Sequence, residues 1–415
     1  MNVLVRKLSR ATAVIAATLN LSGLTMAADW IVDVNNGPST DFTSIVVAVG
    51  DSAVQNGDTI LVRTGSYAGF DTDKALSIIG EFSGGKLKVQ IQNPPNVRLH
   101  DLPAGTWSAL ANFRLEGLII DDCAGALIVK SVRAETARVS DCADVRMEWS
   151  TFVATTLSTS SDPDDGDDAI IISGSSQVEI VRSLIRGGLG QSSDDGGDGG
   201  HGIWVAGTSK VHIALSKVKG GDGGLAFTSG WIGGTPGNGG HALRIESLAE
   251  GIITGGTNNS KLIEGVGGYD VAGYGGYGLD GESLLNMGAA RMSGVQCNNI
   301  DNQGYLEQPS PADPSLKQIL LAGGYTRFTV FGAPGSTVRL HLSTEPTLSP
   351  ANSLEMPAMN DSTWTIWVGV IGPSGKIRHD LDRAFPMEAG ARRLYVLQAS
   401  VFNSGKRFTN SMSLF

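Results

Sequence analysis

The chain has 415 residues, 31 Lys plus Arg against 41 Asp plus Glu, and a net charge of −10. That length allows two or three domains, and the acidic balance argues against nucleic acid or an anionic lipid surface as a partner. Three cysteines exclude a small disulfide-built scaffold, and 56 glycines, thirty of them between Gly187 and Gly281, mark one region as unusual.

Residues 1–27 carry the features of an export signal. Arg6, Lys7 and Arg10 form a basic start, an apolar run follows, and small residues precede Ala27. The run is short for a membrane span and no later segment is long enough, so the mature chain is expected to be secreted or at the cell surface without a span. Next, "WIVDV", "TILVR" and "LSIIGE" read as strands. Asp41 is placed to cap a short amphipathic helix through "FTSIVVAVGDSAV", and "NGD" and "GSY" read as turns.

This opening resembles the N-terminal cap and first coils of right-handed parallel β-helix proteins of the pectin-lyase-like type. The matching pieces are the short helix, "GDTILVRTGSY" and "KALSIIGE". The resemblance implies a fold and leaves the activity open. In lyases of that fold, Asp residues hold calcium and an Arg acts as base, but no residue here maps onto them one by one.

Internal repeats lead to the same fold. "DDCAGALIVKS" and "SDCADVRMEWS" align with Cys123 over Cys142 and Ser131 over Ser150. The register continues to Ser183 and Ser216. It places Ile128, Met147, Ile180 and Ile213 at one position, and Ala126, Val145, Val178 and Val211 two residues earlier. Apolar positions that recur once per repeat suit stacked coils, each burying its inner face against its neighbours about 4.8 Å away. The stacked Cys123 and Cys142 fit either a disulfide or two buried thiols, and Cys297 has no evident partner.

A second register runs through "DDGDDAIII", "GDGGHGIWV", "GNGGHALRI" and "GYGGYGLDG". It aligns Asp168, His201, His241 and Tyr277. Ile170, Ile203, Leu243 and Leu279 should then point inward, and Ile171, Trp204, Arg244 and Asp280 outward. Glycine-rich insertions at about 187–200, 220–240 and 255–276 should leave the helix at one corner. The expected β-helix covers 28–307. A Pro- and Ser-rich linker at 308–318 leads to a C-terminal antiparallel β-sandwich at 319–415, about 95 residues and too short for a membrane barrel.

Four kinds of chemistry are weighed. "GGDGGHGIW" departs from a calcium-roll repeat at His201, but the acidic turns with Asp164, Asp165, Asp194, Asp195 and Asp198 are candidates for Ca2+, with solvated turns as the alternative. "GDGGHG" lacks the following helix that a phosphate loop needs. The ladder Asp168, His201, His241 and Tyr277 is either an acid/base set or a row of caps for turn backbone. Trp204, Arg244 and Asp280, with Lys210, His212, Lys217 and Lys219 nearby, suit an acidic sugar through stacking and bidentate contact. The leading expectation is a non-catalytic binder of polysaccharide or cell-surface glycan. A polysaccharide lyase or hydrolase comes second, and a structural surface protein third.

Overall fold

The computed structural model describes residues 27–92, 96–155, 164–227, 234–254, 260–269, 278–293, 295–307, 315–320, 325–331, 333–343, 363–374, 376–382, 395–402 and 406–414. Residues 1–26 of the expected export signal, residues 308–314 of the expected linker and Tyr277 lie outside this set.

Three parallel sheets of 11, 9 and 9 strands wind into a right-handed parallel β-helix. Each coil contributes one strand to each of three faces, here sheets A, B and C. A representative coil runs Trp107–Ala111 in A, Phe113–Arg114 in B and Gly117–Asp121 in C, then re-enters A at Ala126–Lys130. Side chains of alternate parity fill the interior. On sheet C, Ile170, Ile203, Leu243 and Leu284 stack rung on rung, and each is completely buried. Each such side chain contributes roughly 1.5–3 kcal/mol of burial.

The corner from A to B is a single residue in the left-handed region, seen at Asn112, Ser131, Trp149, Arg182 and Leu215. A serine row lines this corner. The Ser150 N–H donates to Ser183 Oγ, and the Ser183 N–H donates to Ser216 Oγ, so the turned backbone is satisfied from the coil above. Ser176 and Ser209 do the same at the corner from C to A.

Two details of the repeat alignment change. Leu127, not Ala126, pairs with Val145, and Val129, not Ile128, pairs with Met147. Gly125 lengthens the preceding corner by one residue, which also puts Val132 opposite Ser150 in place of Ser131. Cys123 and Cys142 do stack. Both are buried free thiols, Cys123 Sγ donating to the Asp121 carbonyl at 3.3 Å and Cys142 Sγ to the Ser140 carbonyl at 3.1 Å, and the neighbouring Cys123 together with burial pushes Cys142 up.

At the N-terminal end the helix is Ile45–Gly50, burying Ile45, Ala48 and Val49. Ser44 occupies its N-cap position; Asp41 instead accepts the Ile31 N–H. "GSY", expected as a turn, is the first strand of sheet B at Gly65–Tyr67.

The C-terminal region forms two antiparallel sheets. One holds Ser315–Leu320, Tyr325–Phe331 and Lys376–Asp382. The other holds Thr363–Val370, Thr337–Ser343, Tyr395–Phe402 and Lys406–Leu414. The first strand begins at Ser315, inside the stretch expected to be linker.

Candidate functional site

The glycine-rich excursions leave sheet B and return to sheet C. Outgoing legs follow Leu184–Arg186, Lys217–Lys219 and Ser260–Ile263. Returning legs lead into Ile170–Ser173, Ile203–Val205, Leu243–Ile245 and Leu284–Asn286. The third excursion therefore runs from Glu264 to Ser283. The strand Ser260–Ile263 precedes its outgoing leg, and residues 255–259 of the expected third insertion lie outside the described residues.

These legs bond with a three-residue period. Gly187, Gly190 and Ser193 donate to Lys219, Asp222 and Leu225 of the next outgoing leg. Gly196, Gly199 and Gly202 donate to Thr235, Asn238 and His241 of the next returning leg. A third set crosses between the two layers, from Gly221 to Gly200, Gly240 to Gly221, and Gly265 to Gly240. Three residues per turn with every bond made to a neighbour is the repeat of a polyproline-II-type helix, packed here into a two-layer lattice. A methyl group on Gly190, Gly221 or Gly265 would strike the carbonyl oxygen of Gly197, Gly188 or Gly221, so these positions require glycine.

One residue in three faces outward, and its own N–H needs an acceptor. The side chain one coil below supplies it. Asp168 Oδ1 accepts the His201 N–H at 2.6 Å, His201 Nδ1 accepts the His241 N–H at 3.1 Å, and His241 Nδ1 accepts the Glu282 N–H at 2.8 Å. A parallel row runs from Asp165 Oδ1 to the Asp198 N–H, from Asp198 Oδ1 to the Asn238 N–H, and from Asn238 Oδ1 to the Leu279 N–H. Asp195 accepts the Thr235 N–H in the same manner.

The fourth rung is thus Glu282, not Tyr277, and the outward partner of Arg244 is Leu285, not Asp280. Asp280 is exposed within the third leg and accepts the Gly267 N–H. The glycines of "GYGGYG" imitated the earlier corners, but the leg runs on through Gly278 and Gly281 before the strand starts.

The electrostatics of the ladder follow from burial. Desolvation, then Arg244, lowers His201 to about 4, and desolvation, then His201, lowers His241 to about 4. Their rings stack with centroids 4.9 Å apart. Burial raises Asp168 against its bond from the His201 backbone. Because His201 Nδ1 is an acceptor, Nε2 carries the proton. It confronts Arg244 Nη1 at 3.2 Å, donor against donor.

Glu246 holds that guanidinium in place. Its Oε1 accepts from Arg244 Nε at 2.9 Å and from Trp204 Nε1 at 3.1 Å. The guanidinium carbon lies 5.2 Å from the Trp204 ring centroid. Arg244 and Glu246 remain 32% and 27% exposed, so the group meets solvent. This arrangement offers an aromatic face beside a planar cation and is able to stack a sugar ring and bind a carboxylate.

Other expected members lie elsewhere. Lys210 and His212 are on sheet A, and Lys217 and Lys219 on sheet B, so none borders Trp204 on sheet C. His212 is buried between Glu179 at 3.2 Å and Thr254 at 3.0 Å. Beside it, the fully buried Arg146 meets Glu148 at 2.9 Å and Glu179 at 3.1 Å. The alignment missed this ionic cluster because its register put Met147, not Arg146, opposite Ile128. Asp194 is exposed, and the Asp164 N–H donates to Gln191 Oε1. Among the described residues no three His, Cys, Asp or Glu side chains group to hold a metal ion. Among the described residues no helix is long and apolar enough to cross a membrane.

No family model matches the chain, and comparison with curated proteins finds no relative.

Proposed function

We propose that this is an exported, non-catalytic glycan-binding protein of the pectin-lyase-like β-helix type, acting at the cell surface or outside the cell. The observation that carries the reading is the anchored pair on sheet C: Trp204 and Arg244 on adjacent rungs, both bonded to Glu246 Oε1. Arg138 and Ile171 extend the same outward row below it, and Leu285 above. A row with one side chain per rung, about 4.8 Å apart, suits a linear sugar chain lying along the helix axis. Binding is favoured over catalysis because His201 and His241 are committed to backbone N–H groups and kept neutral by burial.

The test is retention on a panel of uronic-acid polysaccharides, with and without calcium, together with assays for unsaturated products and new reducing ends. Retention without cleavage, weakened by Trp204→Ala, is the expected result. Cleavage would overturn the non-catalytic reading, and unchanged retention by Trp204→Ala would remove Trp204 from the site.

A further inference from the structure

Two of the chain's three cysteines occupy the same place in successive coils, at the corner from C to A. The register around them is tight. Asp121 pairs with Ser140 on sheet C, the Asp122 N–H donates to the Ser140 carbonyl at 3.1 Å, and the Ala143 N–H donates to the Cys123 carbonyl at 2.8 Å. Asp122 and Asp141, the residues just before the cysteines, share the left-handed backbone, with φ of 53° and 52°. The two corners therefore have the same shape and their Cα–Cβ bonds point the same way. Stacked coils put such Cα atoms about 4.8 Å apart, inside the roughly 4.4–6.8 Å that a disulfide spans. Both side chains turn inward and are completely buried.

The next two coils fill this inward place with Ser176 and Ser209. The Cys142 N–H donates to Ser176 Oγ and the Ser176 N–H to Ser209 Oγ, both at 3.2 Å. Serine therefore serves the corner's backbone, and capping alone does not call for thiols. What a stacked pair of thiols adds is the capacity to be joined.

We propose that Cys123 and Cys142 are a modification site, oxidised to a disulfide that ties one coil to the next. The structure shows the reduced form. The oxidant is a disulfide donor, either an oxidised small thiol or the disulfide of a thiol oxidoreductase. Contact with Cys142 pulls the Cys123 thiol down, while contact with Cys123 pushes Cys142 up, so Cys123 ionises first. Its thiolate attacks a donor sulfur, the donor S–S bond breaks, and the departing thiolate takes up the proton Cys123 lost. Cys142 then gives up its proton and attacks the Cys123 sulfur of the mixed disulfide, releasing the second donor thiol. The protein loses two electrons and two protons, and the donor gains them. Because the closed coils seal both sulfurs from solvent, exchange belongs to folding, before these two coils stack. The site is apart from the Trp204–Arg244 pair on sheet C. The proposed export would supply the oxidising compartment, but competence for the bond is a property of the purified chain.

The experiment refolds the full chain carrying Cys297→Ser, which removes the third thiol, in dithiothreitol or in a glutathione redox buffer. Each sample is then unfolded, alkylated and weighed. Refolding in dithiothreitol should leave both cysteines open to alkylation. Refolding in glutathione should leave neither open, lower the mass by two hydrogens and link the Cys123 and Cys142 peptides. The oxidised form should melt about 5 °C above the reduced form. Adding Cys123→Ser or Cys142→Ser, each installing the residue found in the next coils, should abolish the link and equalise the two melting temperatures. Two alkylated cysteines after refolding in glutathione would overturn the proposal, as would glutathione adducts or linked dimers in place of the internal bond. Equal melting temperatures for the oxidised and reduced forms would overturn the tie between coils.

Discussion

His201 accepts at its Nδ1 the backbone N–H of His241, one coil above and 3.1 Å away. The ring therefore completes the backbone of a lattice whose glycines have no side chains to do so. Asn238 performs the same service for Leu279 in the neighbouring row.

That equivalence makes substitutions at His201 discriminating. His201→Asn retains a side-chain oxygen in the acceptor position and should leave stability within about 0.5 kcal/mol of wild type. His201→Leu leaves the His241 N–H unpaired and should cost about 1–3 kcal/mol in denaturant unfolding. Equal stabilities for the two variants would remove the capping role.

The depressed histidines set a pH dependence. His201 and His241 fall from an ordinary value near 6.5 to about 4 in the folded chain. Between those values the unfolded chain takes up protons that the folded chain refuses, so stability decreases as pH drops from about 6.5 to about 4. The double variant His201→Asn/His241→Asn should flatten this part of the profile. Melting temperatures recorded across that range check it.

The lattice tolerates change at one position in three. Gly221→Ala drives a methyl into the Gly188 carbonyl and should cost about 1–3 kcal/mol, as overpacking does. Leu189 faces outward at 44% exposure, and Leu189→Ala should be close to neutral, within about 0.5 kcal/mol. Amide exchange at Gly200 and Gly240 should accelerate in the first variant and stay slow in the second.

Arg244 lowers His201 through space, second only to burial. Arg244→Gln should raise the His201 pKa while leaving it below 6.5, because burial persists. NMR titration of the imidazole reads the shift, and a fall would contradict the contact.

The coils were legible in the sequence because inward positions such as Ile203 and Leu243 recur with strand parity. Trp204 and Arg244 were correctly placed side by side for the same reason. The lattice was not legible. Its bonds run between legs separated by 33, 40 and 41 residues along the polar rows, and its period is three, a period neither strand nor helix patterns detect. Glycines match one another at any register, which is how Tyr277 and Asp280 came to stand in for Glu282 and Leu285. The like-charge pair on sheet B was hidden for a related reason. Lys217 and Lys261 lie on adjacent rungs, yet an intervening excursion parts them in sequence.

The most direct test of the capping account is a long-range 1H–15N spectrum of the imidazoles followed through an acid titration. The account predicts that His201 and His241 are neutral Nε2–H tautomers at neutral pH, with unprotonated Nδ1 atoms bonded to amide hydrogens and protonation only near pH 4. Nδ1–H tautomers, or protonation near the ordinary value of 6.5, would contradict it.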